Sequence, residues 1–198
     1  MSTLKVNKLQ KTVSGAATFT LPTADGTAGQ FLKTDGSGAL SWGSAPVDNT
    51  PAFYAYAGAS QSPSNNTWTK ITAITTETFD TDSAYDTSTQ KFTVPAGKAG
   101  KYYFSATNTA AGSSVSTMYT NKIALRLNGA ATNLVETTQD FRNSAMYVMT
   151  VTVDAYLDLS AGDEIEVWAF TNLTSGTLTW IHDNAAQGMR FFGQRVVT

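Results

Sequence analysis

The sequence predicts an all-β protein, a two-sheet sandwich or jelly roll, on three observations. First, from position 147 to 159 the odd residues Tyr147, Met149, Val151, Val153, Ala155, Leu157 and Leu159 are apolar. Thr150, Thr152, Asp154 and Asp158 fall between them, with Val148 and Tyr156 as exceptions. Side chains alternate across a strand, so this stretch has one inward and one outward face. Second, strand-length apolar runs recur at short intervals between turn residues, and no convincing helix is visible. Third, only 14% of residues are charged, while Thr, Ser, Asn, Gly and Ala are abundant.

The totals bound the function. A chain of 198 residues holds one domain of ordinary size with something small attached. A net charge of -2 gives no footprint for nucleic acid or an anionic membrane. The absence of cysteine excludes disulfides and thiolate metal sites. No run of 18 apolar residues offers a membrane span, and the first ten residues lack the apolar stretch of a secretory signal.

The elements follow in order. Residues 1–10 carry Leu4, Val6 and Leu9 and read as a short strand or docking segment. Residues 18–42 alternate apolar pieces (Phe19 and Leu21; Phe31 and Leu32; Leu40 and Trp42) with Asp25-Gly26 and Asp35-Gly36, both strong turn signals. Such a hairpin is too small to bury its own apolar residues, so it needs identical copies or a larger assembly. Residues 43–51 are a linker by composition.

The large domain then covers 52–198. Its strand candidates are 51–56, 68–76 (bulged, because Ile71 and Ile74 break the alternation), and two strands within 91–106 around a Pro-Gly turn. Residues 79–89 read as turn-rich and 110–117 as a loop. Residues 121–128 alternate, with Ile123, Leu125 and Leu127 inward and Lys122, Ala124 and Arg126 outward, before the Asn128-Gly129 hairpin signal. A short strand at 133–138 precedes the 147–170 stretch. That stretch reads as one long antiparallel hairpin, turning at residues 160–163 and resuming with Ile165, Val167 and Ala169 inward. Strands at 178–181 and 189–197 complete the sandwich.

Two resemblances attach to these residues. The run from Leu21 to Trp42, with its core Gly-Gln-x-Leu-x-Thr-Asp-Gly-x-Gly-x-Leu-x-Trp, resembles a short module of tail-fibre and other virion proteins of tailed bacteriophages. From Pro51 onward the chain resembles the globular head of complement component 1q and its tumour-necrosis-factor-like relatives. The matching residues are Pro51-Ala52-Phe53; Phe79-Asp80; Tyr85 to Thr89; Phe92, Pro95, Gly100 and Tyr102 to Ser105; Leu125, Asn128 and Gly129; Leu157, Gly162-Asp163 and Val167-Trp168; and Phe191 with Gly193. Three features depart: the long turn 95–100, Gln90 where the family usually has Gly, and Gln194 and Arg195 in the last strand.

The second resemblance implies a jelly roll that trimerises around a threefold axis lined with apolar residues. Tyr103, Tyr156, Trp168, Phe170 and Phe192, on nominally outward faces, are the expected trimer contacts. The expected attachment residues are Leu4, Val6, Leu9, Phe31, Leu32 and Trp42. The loops point to Asn66, Trp68, Tyr119 and Asn172 as receptor-binding residues, suited to polar or carbohydrate contacts.

Catalytic chemistry is sparse. The single histidine, His182, sits beside a turn, and no nucleophile–base arrangement, phosphate loop or metal-binding histidine pair is visible. Asp80, Asp82 and Asp86 could hold calcium but lack an EF-hand spacing, and turn-forming carboxylates explain them more simply. Asp154, Asp158, Glu164 and Glu166 share the wet face of the expected hairpin. They read as a solvated face, with glycoside hydrolysis by paired carboxylates as the rival. The sequence therefore leads to a non-enzymatic phage virion protein without cofactor or metal. Its expected form is a short trimeric fibre on the exterior of the tail or capsid. The N-terminus would meet other virion proteins and the head a host-surface glycan or protein. A capsid-decorating or head-fibre protein is the alternative.

Overall fold

A computed structural model describes residues 7–10, 18–44, 49–114, 117–142, 144–182 and 188–196. The chain divides into two compact units, Met1–Asp48 and Asn49–Thr198. The first contains β1 (Lys8–Gln10), β2 (Thr18–Thr20), β3 (Gln30–Thr34) and β4 (Leu40–Ser44), paired as β1–β2 and β3–β4. The β3–β4 hairpin turns at Asp35-Gly36 as expected. Gly36 takes a φ of +83°, open to glycine without penalty, and the Asp35 carboxylate accepts from the Ser37 and Ala39 N–H groups at 2.8 and 3.0 Å. Asp25-Gly26, in contrast, makes no hairpin. Gly26 lies under Trp42, and a Cβ there would come within 2.6 Å of the indole, whose N–H donates to the Ala24 carbonyl at 2.8 Å. β4 continues through Gly43 and Ser44, so the expected linker from residue 43 starts too early.

The second unit runs β5 (Ala52–Ala57), β6 (Thr69–Lys70), β7 (Ile74–Asp80), β8 (Tyr85–Asp86), β9 (Lys91–Thr93) and β10 (Gly100–Gly112). It continues with β11 (Met118–Leu127), β12 (Val135–Asp140), β13 (Val148–Leu159), β14 (Glu164–Leu173), β15 (Leu178–Trp180) and β16 (Arg190–Arg195). One sheet has the order β13-β10-β16-β5-β7, with β15 also on β10; the other has the order β12-β11-β14-β9-β8, with β6 also on β14. The unit is an all-β jelly-roll sandwich.

The expected hairpin at 147–170 and the expected single strand at 68–76 are corrected, and the turn between β9 and β10 makes the same kind of crossing. β13 and β14 form no hairpin: β13 pairs with β10 and β14 with β11 and β9. The turn at 160–163 carries the chain across the sandwich from one sheet to the other. β9 and β10 cross in the same way. The bulged strand at 68–76 is two strands, β6 in the second sheet and β7 in the first. The reason is common to all three. A short turn can join neighbours in a sheet or span the roughly 10 Å between sheets, and both solutions keep the same alternation. The β11–β12 hairpin does form where Asn128-Gly129 predicts it, with φ of +52° and +68° and Ala130 N–H donating to the Leu127 carbonyl at 3.0 Å.

Inward positions build the core. Phe53, Tyr85, Phe92, Tyr102, Phe104 and Phe191 form one aromatic cluster, with centroids 4.9 Å apart for Phe53–Phe191 and 5.1 Å for Phe92–Phe104. Towards the other end the core turns polar. The buried Asn108 amide of β10 donates to Asn121 of β11 at 3.3 Å, and the Trp180 indole donates to Thr171 at 3.0 Å. These bonds cross between the sheets and fix their offset. Two expectations about faces fail locally: Tyr147 is exposed, because β13 starts one residue later, and Ala124 and Arg126 are buried on their outward face. Residues 110–112, expected in a loop, extend β10.

Two glycine observations explain sequence features. Gly193 of β16 lies opposite Phe104 of β10, and a Cβ there would run into the Phe104 ring and come within 3.0 Å of the Tyr103 carbonyl oxygen. Gly193→Ala is expected to destabilise the domain by about 1–3 kcal/mol through overpacking, read as a lowered midpoint in urea with an unchanged slope. Gln90, the departure from Gly, has a φ of +51°. Its side-chain amide donates to the Thr87 carbonyl, which offsets the cost of the left-handed backbone.

Candidate binding site

The alternation that fills the core leaves two outward faces on opposite sides of the head domain. On the first sheet, cross-strand register aligns Asp154, Ser105, Phe192, Tyr54 and Phe79, with Tyr156 opposite Tyr103 alongside. The rings form a continuous row. Tyr156–Tyr103 centroids are 5.1 Å apart, Tyr103–Phe192 6.5 Å and Phe192–Tyr54 5.6 Å. Tyr156 is 74% exposed and Phe79 50%. The Tyr103 hydroxyl donates to Asp154 at 2.9 Å, and this bond raises its pKa.

Three of the five expected trimer residues, Tyr103, Tyr156 and Phe192, therefore share one face. Trp168 and Phe170 do not: they lie on the outward face of the other sheet. The crossing at 160–163 is the cause, since it sends the outward sides of β13 and β14 to opposite surfaces. Both rings already have partners. Trp168 lies 4.0 Å from the Arg126 guanidinium, and Phe170 is 5.7 Å from the Trp68 ring centre. Tyr54 and Phe79 join the row unforeseen. The alternation of β5 could have placed Tyr54 there, but Phe79 was hidden in a stretch read as turns.

The same crossing separates the four carboxylates. Asp154 and Asp158 face out from the first sheet and Glu164 and Glu166 from the second, so the four do not share one face. Glu166 is not on a wet face at all. It is 5% exposed, 2.6 Å from the Lys70 ammonium and 3.7 Å from Lys91, and accepts the Trp168 indole N–H at 3.1 Å. Burial pushes its pKa up, but the bonds from Lys70 and Trp168 and the charges of Lys70 and Lys91 outweigh that and leave it lowered.

The acidic residues at 80–86 serve their own turns. Asp80 accepts from the Ala84 and Tyr85 N–H groups at 3.1 and 3.0 Å. Asp86 accepts from the Ser88 and Thr89 hydroxyls at 2.6 and 2.8 Å, bonds that hold its pKa down to about 2. Asp82 lies 3.6 Å from Lys98. Among the described residues no group of His, Cys, Asp or Glu is arranged to hold a metal ion. The His182 backbone N–H donates to the Ser60 hydroxyl at 2.9 Å.

The four expected receptor-binding residues converge. Asn172 donates to Asn66 at 3.2 Å, Trp68 lies tilted against Phe170, and Tyr119 and Asn172 line a common cleft of about 420 Å³ on the second sheet. Register explains the cleft. Asp140, Thr120 and Asn172 stand in one cross-strand row, and Thr138, Lys122 and Phe170 in the next. Arg142 closes one side, its guanidinium 2.6 and 2.8 Å from the Asp140 carboxylate, which lowers the Asp140 pKa. Lys122 is 3.1 Å from Glu136. Thr138, Asp140 and Arg142 were not foreseen: the hairpin signal places β12 beside β11, but the expected strand stops at 138 and its register with β11 is not legible in the sequence.

In the N-terminal unit, Leu9, Phe31 and Leu32 are exposed and Trp42 is half-buried, with Leu32 and Trp42 on a shared hollow. Leu4 and Val6 lie outside the described residues.

No family model and no curated protein matches the chain. Solved structures do. The globular domain of zebrafish complement 1qA protein is similar at 19% identity, with a TM-score of 0.52 over 75% of this chain and 98% of that one. The Eiger TNF from S. frugiperda is similar at 13% identity, with a TM-score of 0.50 over 76% of this chain and 94% of that one. At these identities the likeness is one of fold: the head domain has the jelly-roll architecture of the complement 1q and tumour-necrosis-factor globular domains.

Proposed function

We propose that the chain is a non-enzymatic virion protein of a tailed bacteriophage: a short homotrimeric fibre attached through its N-terminal unit, with a head that recognises the host surface. The observation that carries the reading is the outward aromatic row on the first sheet, half-buried at Tyr103, Phe192 and Tyr54 and exposed at Tyr156 and Phe79. Large contiguous apolar patches on soluble domains mark contact sites, and neighbouring subunits packed around a threefold axis would cover this one. The resemblance to heads that assemble around a threefold axis supports three copies. The Gly-Gln-Phe-Leu to Trp42 module, with Phe31 and Leu32 exposed, supports particle attachment. The converging residues on the opposite sheet supply a recognition surface that such an assembly leaves open.

Electron microscopy of intact particles with an antibody against the head domain tests the reading. Label at the tail is the expected result. Label over the capsid shell would replace host recognition with decoration, and absence of label from particles would remove the virion assignment.

A further inference from the structure

We infer that the cleft between β12, β11 and β14 is a binding site for an uncharged saccharide. The inference rests on the host-recognition reading and names the ligand class of its surface. A pyranose has an apolar C–H face and a rim of hydroxyls, each both donor and acceptor, and no charge. The cleft matches each property. Tyr119 and the part of the Phe170 ring left open beside Trp68 and the Lys122 ammonium, which lies 5.7 Å from its centre, supply aromatic surface for the C–H face. Asp140 offers acceptors and Arg142 donors side by side. Their mutual bonds hold both in place before a ligand arrives, which spares the cost of ordering them. Asn172, held by Asn66, and Thr138 add groups of mixed donor and acceptor character.

Charge selects against anions. Arg142 is neutralised by Asp140 and Lys122 by Glu136, so the cleft holds no uncompensated cation for a phosphate, sulfate or carboxylate. Its volume of about 420 Å³ lies at the low end of small-ligand sites, about 300–1,000 Å³, which suits one or two sugar rings. The cleft opens on the opposite side of the sandwich from the aromatic row, so a subunit contact through that row leaves it accessible. Three copies on one fibre would raise a weak single-site affinity by about 10²–10⁴ against a surface bearing repeated sugars.

The test is saturation-transfer NMR on the full chain. The probes are the methyl glycosides of glucose, galactose, mannose, rhamnose and N-acetylglucosamine, with N-acetylneuraminic acid as the charged comparison. Transfer to ring protons of at least one neutral glycoside is expected, with affinity falling about tenfold or more in Phe170→Ala and in Arg142→Ala. Phe170 also packs on Trp68. Arg142 is 78% exposed in its side chain and its loss leaves the fold intact, so the second variant keeps the test decisive. Three results would overturn the inference: transfer to no glycoside, transfer to the acidic sugar alone, or affinity unchanged in both variants. If any of these came from a protein that still sits on particles as a trimer, the saccharide would fall and the fibre would stand. A particle-free monomer that binds a neutral glycoside through Arg142 would give the converse.

Discussion

Phe192→Asp combined with Tyr156→Asp is expected to reduce the native mass at micromolar concentration from three chains to one. The two residues belong to the aromatic row on the first sheet, and Tyr156 is the most exposed large apolar residue described, at 74%. Each aspartate would place a charge in a contact that excludes water. The attraction lost and the desolvation cost added together outweigh the surplus that holds a typical interface. Far-UV circular dichroism should be unchanged, because both side chains point away from the core. Trp168→Asp is the control. That ring lies on the opposite face against Arg126, so its loss should leave the mass at three chains. A wild-type chain that is already monomeric at micromolar concentration would refute the trimer outright.

Glu166→Ala is expected to cost about 3 kcal/mol of stability, the lower end of the range for breaking a buried ion pair from one side. The substitution strands Lys70, the Trp168 indole and part of the charge of Lys91 in a covered patch, although Lys70 keeps its bond to the Thr89 carbonyl at 2.7 Å. Glu166→Gln keeps the shape and the indole bond and should cost less, about 1.5 kcal/mol. The pH dependence has a definite sign. The folded pKa of Glu166 is lowered from 4.5, so its contribution is fully present above that value and is lost as the pH falls through the lowered one. The stability gap between wild type and Glu166→Gln should therefore be constant near neutrality and close below about pH 4.5. Urea titrations at pH 7, 5 and 3.5 measure it; a gap independent of pH would mean that the carboxylate charge does not contribute.

Particular residues show how far the sequence reaches. Met149, Val151, Val153 and Leu159 are buried as their alternation requires, and so are Ile165, Val167 and Ala169. Asn128-Gly129 and Asp35-Gly36 turn the chain where turn chemistry says they should. Glu166 was misplaced because alternation reports only which side of a strand a residue occupies. It does not report that Lys70, arriving on β6 from almost a hundred positions away, covers that side. Phe170 was expected between subunits and lines a cleft, because β11 beside its strand and β12 beyond that set its neighbours. The convergence of Asn66, Trp68, Tyr119 and Asn172 was legible only as three separate loops of similar composition.

The sequence by itself determined the all-β class, most strand positions, most of the inward set and the tight turns at Asp35-Gly36 and Asn128-Gly129. Each depends on interactions within a few residues: the two-residue period of a strand and the dihedral preferences of Asn, Asp and Gly. Only the tertiary structure decided that β13 and β14 belong to different sheets, that the aromatic rings divide between two faces, and that Asp140, Arg142, Phe170 and Asn172 meet. A turn such as 160–163 has the same local free energy whether it closes a hairpin or crosses a sandwich. The choice is made by the long-range burial of the whole apolar set, which no short stretch of sequence contains.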